Sequence, residues 1–202
     1  MIKNNTRIIL ASASPRRRAL LESIGFKCTA ASASVVEDGM SPLSMLGHQK
    51  PAGIAVAIAC RKADAVSRRI KGHAVLIAAD TIVVMDKRII GKPSGKKHAE
   101  EILRLLSGKT HKVITGVCLL KVPERISRRF SVATDVTMLK MTGRDIQWYI
   151  STGEPMDKAG AYGIQGLGGL FVKKINGSYT NVVGLPLTEL FDGLRRLGAI
   201  TL

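Results

Sequence analysis

The sequence has few of the residues that hold small disulfide-rich or zinc-bound folds together. Its three cysteines, Cys28, Cys60 and Cys118, are an odd number without a C-x-x-C pair, so they indicate neither a disulfide framework nor a zinc site. The longest apolar runs, such as residues 54–60, are less than half of the roughly 20 residues that a membrane-spanning helix needs. We therefore expect a cytoplasmic protein with a core of its own, without a targeting or membrane segment.

Acidic and aromatic residues are also scarce. Lys and Arg number 31 against 15 Asp and Glu, which gives a formal net charge of +16. The positive electrostatic potential of such a protein favours anionic ligands and could support nonspecific nucleic-acid binding. However, the basic residues are scattered in small clusters, and 4% aromatic content leaves little to stack single-stranded bases. We expect no specific nucleic-acid partner, although a basic nucleic-acid-binding protein stays open as an alternative.

The order of apolar runs and breakers predicts an α/β fold with a mixed sheet, over residues 1–202 as a single domain. Residues 74–85 form a continuous apolar run interrupted only by Asp80 and Thr81, which predicts a buried central strand. Trp148, in the helix predicted over residues 142–151, is expected to lie in the protein core. Further strands are predicted over residues 7–12, 27–36, 112–120 and 131–141, and helices over residues 16–24, 54–70, 98–106, 142–151 and 186–197.

The first candidate site is LASASPRR, residues 10–17, where a strand passes through a loop of small residues into a helix. Loop N–H groups and the positive helix end attract phosphate, the Ser12 hydroxyl adds a hydrogen bond, and Arg16 and Arg17 can bind phosphate oxygens bidentately. A helix capped by serine, with ordinary surface arginines, explains the same residues without a ligand.

The second candidate is Asp80, because a carboxylate inside an apolar strand is unfavourable by several kcal/mol unless it is paired. A role as metal ligand or general base resolves that penalty, and so does a structural pair with a buried arginine. Glu37 and Asp38 could add a carboxylate to a magnesium site, since Mg²⁺ takes one or two carboxylates plus waters and substrate phosphates. The alternative for Glu37 and Asp38 is an ordinary exposed loop position without a metal.

Two lysines and a glycine-rich stretch complete the candidates. Lys62 and Lys92 lie near the ends of predicted elements and could neutralise a polyphosphate, although each is weak alone. Residues 157–169 contain Gln165, which offers a donor and an acceptor to a base edge. This stretch is neither a Walker loop nor a dinucleotide-binding fingerprint, and a structural turn is its alternative. The four histidines have no metal-site spacing and are expected to be surface or packing residues.

Taken together, these segments resemble the Maf family of nucleotide pyrophosphatases over nearly the whole chain. The motifs that carry the resemblance are LASASPRR (10–17), ADTIV (79–83), GKP (91–93), LSGKTHKV (106–113), GEPMDKAGAYGIQG (153–166) and VVGLPL (182–187).

The resemblance implies an elongated mixed sheet flanked by helices, with two lobes around a central cleft as in inosine triphosphatases, and often a homodimer. It implies that Asp80 is the proton acceptor. It also implies that Arg16, Thr81 and Gln165 mark the branch that acts on dTTP and UTP, whereas a 7-methyl-GTP branch carries a different residue after the aspartate and a Ser-Glu-Gly-like sequence at residues 164–166. The family name has also been linked to septum formation in cell division, which leaves a non-enzymatic regulator as a rival.

The resulting hypothesis is a nucleoside triphosphate pyrophosphatase that uses Mg²⁺ or Mn²⁺. Glu37 and Asp80 hold the metal and activate a water that attacks the α-phosphorus, and pyrophosphate leaves. The residues expected to hold the triphosphate are Ser12, Arg16, Arg17, Lys62 and Lys92. The hypothesis requires the opening loop and Asp80 to lie close together.

Overall fold

The computed structural model describes residues 2–31 and 50–202. These residues group into two compact units. The first unit comprises the chain up to Asp80, residues 115–132 and residues 184–202, and the second comprises residues 81–114 and 133–183. Within the described ranges, every helix is too short or too polar to cross a lipid bilayer.

The chain alternates strands and helices. The strands are β1 (Lys3–Asn4), β2 (Arg7–Leu10), β3 (Thr29–Ala30), β4 (Ala74–Met85), β5 (Arg88–Ile90), β6 (Thr110–Val122), β7 (Ile126–Met138), β8 (Val172–Asn176) and β9 (Ile200–Thr201). The α-helices are α1 (Pro15–Ser23), α2 (Pro51–Ser67), α3 (Lys96–Leu106), α4 (Gly143–Ser151), α5 (Tyr179–Val183) and α6 (Leu187–Arg196). Short 3₁₀ turns cover Glu154–Asp157, Ala159–Ala161 and Leu167–Phe171.

The main sheet is mixed, as the sequence predicted. Its strand order is β3-β2-β4-β6-β7-β8, with β5 paired to β4. Strand β2 runs parallel to β3 and β4, whereas β4 with β5 and β7 with β8 are antiparallel. Strands β1 and β9 form a separate antiparallel pair.

The first unit is built by close packing of helix α2 on the sheet. Ala55, Ala59 and Ala63, spaced four residues apart, are fully buried on one face of the helix. Opposite them stands Gly116 on β6, where a Cβ atom would lie 2.3 Å from the Ala55 carbonyl carbon. Small residues on both surfaces therefore let the helix approach the strand backbone closely, which fixes the position of the residues that follow on α2.

The second unit has its own core, in which α3 and α4 contribute the buried side chains Leu103, Leu106, Ile146 and Tyr149. The expectation that Trp148 lies in this core is wrong. It is 46% exposed, and its ring meets Phe171 in an edge-on contact at a centroid distance of 6.3 Å. Ile146, Tyr149 and Ile150 occupy the buried face of α4, and Trp148 lies on the opposite side of the helical wheel and points outward.

Several boundaries differ from the sequence predictions. Helix α2 begins at Pro51, three residues before the predicted start, and includes Gly53, because proline is tolerated in the first turn where its missing N–H has no partner to lose. Strand β6 extends beyond the predicted residues 112–120 at both ends, whereas β7 begins before the predicted residues 131–141 and ends three residues earlier. Of the strand predicted over residues 27–36, the structure shows the two-residue β3, and residues 32–36 lie outside the described part.

Candidate functional site

Two neighbouring parallel strands place the opening loop beside Asp80. Leu10 of β2 is in register with Ile77 of β4, and the Ala11 amide donates a hydrogen bond to the Ile77 carbonyl over 2.8 Å. Both strands run in one direction, so the loop after Leu10 lies beside the part of β4 that carries Asp80, three residues after Ile77. The structural requirement of the sequence hypothesis, that these two elements lie close together, is met.

Arg17 is held inside the first unit by two hydrogen bonds. Its Nε donates to the Gly184 carbonyl oxygen over 2.8 Å and its Nη1 donates to the Ser12 Oγ over 3.1 Å. Ser12 Oγ also accepts from the Ser14 amide over 3.2 Å, which folds the loop back onto itself. Ser14 occupies the N-cap position of α1 without a side-chain capping bond, so the serine-capped helix of the ligand-free alternative lacks its capping bond, and Ser12 organises the loop instead.

The positively charged guanidinium of Arg17 is buried, and the residue is 9% exposed. Burial lowers the pKa of Arg17, the negative charge of Asp80 raises it, and the neighbouring Arg16 lowers it again. Because an arginine stays protonated at neutral pH, this places a fixed positive charge behind the loop.

Lys62 pairs directly with Asp80. Its Nζ lies 2.5 Å from Asp80 Oδ1, with side chains 30% and 18% exposed. Ala59 and Ala63 fix the buried face of α2, and Lys62 projects from the margin of that face to the carboxylate. The unfavourable burial of Asp80 is thus relieved by a lysine. Among the described residues, Lys62 thus pairs with Asp80, and the charge of Asp80 also acts on Arg17.

The described residues supply one carboxylate to the predicted metal site. No cluster of three His, Cys, Asp or Glu side chains suited to a metal occurs in residues 2–31 and 50–202. Glu37, the other predicted ligand, lies outside the described residues. A magnesium ion that is completed by substrate phosphates and waters needs only one or two protein carboxylates, so Asp80 fits as one ligand of such an ion.

The second unit holds Thr81, Lys92 and Gln165. Thr81 is half-buried directly after Asp80, and Lys92 and Gln165 are exposed. The Gly160 amide donates to the Gly91 carbonyl over 3.1 Å, which joins the segment of Lys92 to the glycine-rich stretch. Gly160 has a φ of +75°, and a Cβ there would lie 2.9 Å from a methyl group of Val83, so this junction requires glycine.

Sequence reasoning missed two features of the second unit. Glu154 lies within the motif at residues 153–166, and its carboxylate binds the backbone near Gln165. His111 is buried, with its Nε2 2.8 Å from Tyr162 Oη. Burial lowers the pKa of His111 to about 4, and Asp135 opposes that shift. An acid in a glycine-rich motif is a usable signal for the first feature, whereas nothing in the sequence marks His111 as buried.

Comparison with known proteins identifies the family of this chain. Residues 7–197 match the model of the Maf-like protein family. A dTTP/UTP pyrophosphatase of Alkaliphilus metalliredigens is 46% identical over 94% of this chain and 95% of its own length. Proteins of the same name from Caldanaerobacter subterraneus and Bacillus cereus are 44% and 43% identical, over 94% and 96% of this chain and 88% and 91% of their own lengths. The chain belongs to the Maf-like protein family.

Proposed function

We propose that this protein hydrolyses dTTP and UTP to the nucleoside monophosphate and pyrophosphate. The observation that carries the proposal is the contact of Lys62 with Asp80 beside the loop that Ser12 and Arg17 organise. A carboxylate paired with a lysine and acting on a buried arginine suits a reaction that combines a polyanionic substrate with proton abstraction from water. The relatives named dTTP/UTP pyrophosphatase support the same substrates.

The cations of the first unit bind the triphosphate in this proposal. Arg16 and Lys62 are partly exposed and can bind phosphate oxygens, whereas Arg17 is buried and fixes Ser12 while adding its charge. When phosphate arrives, Lys62 can exchange Asp80 for a phosphate oxygen, which leaves the carboxylate to accept a proton from the attacking water. Lys92 adds a further positive charge to the leaving pyrophosphate.

A divalent cation, Mg²⁺ or Mn²⁺, is part of the proposal. Asp80 and Glu37 would hold it, with substrate phosphates and waters as the other ligands. Such an ion polarises phosphoryl oxygens and neutralises the charge that develops on the leaving group. The chain itself binds the triphosphate and takes the proton at an Asp80 oxygen.

Thr81 and Gln165 are proposed to select the nucleotide. Gln165 is exposed in the glycine-rich stretch, and its amide can both donate to and accept from the edge of a pyrimidine. Thr81 follows Asp80 in the chain and offers a hydroxyl. A cytoplasmic location and a homodimer stay predictions from the sequence.

A substrate panel tests the proposal. The protein is incubated with dTTP, UTP, ATP and 7-methyl-GTP in Mg²⁺ or Mn²⁺, and monophosphate and pyrophosphate are quantified. Reaction in ¹⁸O-labelled water places the label in the monophosphate if water attacks the α-phosphorus. Release of orthophosphate, or turnover of 7-methyl-GTP above UTP, would contradict the proposal. DNA binding with a steep salt dependence and no turnover would favour the nucleic-acid-binding alternative.

The catalytic role of Asp80 is tested with a matched pair of variants. Asp80→Asn keeps the size of the side chain but removes the proton acceptor, and we expect kcat to fall by about 10³-fold or more. Asp86→Asn is the control, because Asp86 is exposed in the β4–β5 turn at a φ of +48°, which asparagine tolerates. Unchanged circular dichroism shows that the fold persists, and pyrophosphate release that persists in Asp80→Asn refutes the role.

A further inference from the structure

The carboxylate of Glu154 binds the backbone of the glycine-rich stretch on both of its oxygens. Oε2 accepts a hydrogen bond from the Leu167 amide over 2.9 Å. Oε1 accepts one from the Gly168 amide over 3.1 Å and one from Tyr149 Oη over 2.8 Å. Two successive amides and a phenol thus converge on one side chain that the proposed reaction does not use.

Tyr149 links Glu154 to the other end of the glycine-rich stretch. Its Oη accepts a hydrogen bond from the Gly163 amide over 3.2 Å while it donates to Glu154. The tyrosine is fully buried in α4, so this end is attached to the core of the second unit. Residues 163 and 167–168 are therefore both tethered, and Gln165 lies midway between the two tethers.

Glycine is required where the backbone passes the carboxylate. A Cβ at Gly166 would lie 2.6 Å from Glu154 Oε2, and a Cβ at Gly168 would lie 2.4 Å from Tyr149 Oη. Neither distance is compatible with a side chain. The backbone of the stretch is thus wrapped onto Glu154 and Tyr149, while Gln165, the residue before Gly166, is exposed.

Glu154 is itself anchored and charged. Its amide donates to Thr152 Oγ1 over 3.2 Å, and its carbonyl accepts from Lys158 Nζ over 2.6 Å. Burial raises the pKa of Glu154, but the hydrogen bonds from Tyr149, Gly168 and Leu167, with the charge of Lys158, outweigh it and hold that pKa below its usual range. The carboxylate is ionised at neutral pH, and its hydrogen bonds are of the strong charge-assisted kind.

We propose that Glu154 is a positioning residue for nucleotide selection: through Leu167, Gly168 and Tyr149 it fixes the loop that presents Gln165 to the base. This rests on the proposed function, in which Gln165 contacts a pyrimidine. The Gln165 side chain makes no hydrogen bond to the described residues, so its orientation depends on the backbone that carries it. A shift of about 1 Å in such a group is enough to weaken a specific contact strongly.

The test compares Glu154→Gln with Glu101→Gln, an exposed glutamate of α3 in the same unit. Glutamine preserves the size of Glu154 but replaces an acceptor oxygen by an NH₂ group that faces amide donors. We expect Glu154→Gln to raise KM for UTP about tenfold with little change in kcat, and to lower the preference for UTP over ATP about tenfold. Glu101→Gln should change neither.

A double variant distinguishes positioning from a general structural role. If Glu154 acts through Gln165, Glu154→Gln combined with Gln165→Ala should lose no more UTP preference than Gln165→Ala alone. Additive losses, or an equal fall of kcat for every nucleotide with unchanged preference, would overturn the proposal. Tyr149→Phe removes one tether and should give a smaller loss of preference in the same direction.

Amide hydrogen exchange provides a readout that does not depend on turnover. Leu167 and Gly168 should exchange faster in Glu154→Gln than in the unsubstituted protein and the Glu101→Gln control, and unchanged exchange would overturn the proposal. If the unsubstituted protein releases no pyrophosphate, the proposed function has failed. The inference is then tested by the calorimetric binding of UTP against ATP, with the same criteria for preference.

Discussion

Around Asp80 the first unit balances a carboxylate with side-chain cations, whereas around Glu154 the second unit surrounds a carboxylate with backbone amides and a phenol. The partner of Asp80 is a lysine, 30% exposed, on a long flexible side chain that can turn to another anion. The partners of Glu154 are fixed by the chain itself. The first arrangement can exchange partners during a reaction, and the second preserves one backbone shape.

The largest expected effect is on the pair of Lys62 and Asp80, which can exchange partners. Lys62→Gln removes the cation that faces Asp80, and we expect kcat/KM for UTP to fall about 10²–10³-fold, as for other groups that stabilise developing charge. Arg61→Gln is the matched control, since it is exposed on the same helix and loses the same charge. Steady-state kinetics measure both variants. Equal losses would show that net charge matters rather than the contact, which would break the distinction between the two regions.

The next effect concerns acid stability in the second unit. The pKa of His111 is lowered from 6.5 to about 4 by burial, so the unfolded chain binds a proton at a higher pH than the folded one. Stability from this group is complete above pH 6.5 and is lost as the pH falls towards 4, by up to about 3 kcal/mol. Asp135 raises this pKa, and the Tyr162 hydroxyl contacts the ring.

Urea unfolding between pH 8 and pH 4.5 measures this contribution. His111→Gln should flatten the decline of the unfolding free energy below pH 6.5, whereas His73→Gln, whose side chain is 71% exposed, should retain it. A decline that is equally steep in both variants would assign the acid sensitivity to other groups.

A smaller effect is expected at the buried arginine of the first unit. Arg17→Lys keeps the positive charge but cannot make the hydrogen bonds to Gly184 and Ser12 with the same geometry. An unsatisfied buried carbonyl reduces the free energy of unfolding by about 1–3 kcal/mol. Urea unfolding compares this variant with Arg18→Lys, an exposed neighbour whose change should be much smaller. Equal stability of the two variants would show that the charge of Arg17 alone suffices.

The smallest expected effect concerns Asp145, whose carboxylate, like that of Glu154, accepts a hydrogen bond from a backbone amide. Asp145 and Thr142 form a capping box at the start of α4, but this contact is exposed and local. Thr142→Ala should lower the free energy of unfolding by about 1 kcal/mol and leave nucleotide preference unchanged, unlike Glu154→Gln. Ser151→Ala, exposed on the same helix, is the control. A loss of UTP preference in Thr142→Ala would remove the special position assigned to Glu154.

Much of the first region could be predicted because its signals are local. An aspartate in an apolar run and a loop of small residues before two arginines indicate polar sites irrespective of the rest of the chain. The pairing of Asp80 with Lys62 was not predictable, since 18 residues separate them and the contact depends on how helix α2 packs on β6. Trp148 was misplaced because periodicity alone does not show which face of a short helix meets the core.

The sequence by itself determined the mixed α/β class, the course of the central strand, and the family, because apolar periodicity, breakers and motifs are properties of neighbouring residues. Only the tertiary structure decided which charges meet, that Arg17 is buried against Gly184, and that Glu154 shapes the loop of Gln165. Those contacts join residues that are distant in the chain, or they depend on one close approach of the backbone to a side chain. Packing rather than local propensity determines them.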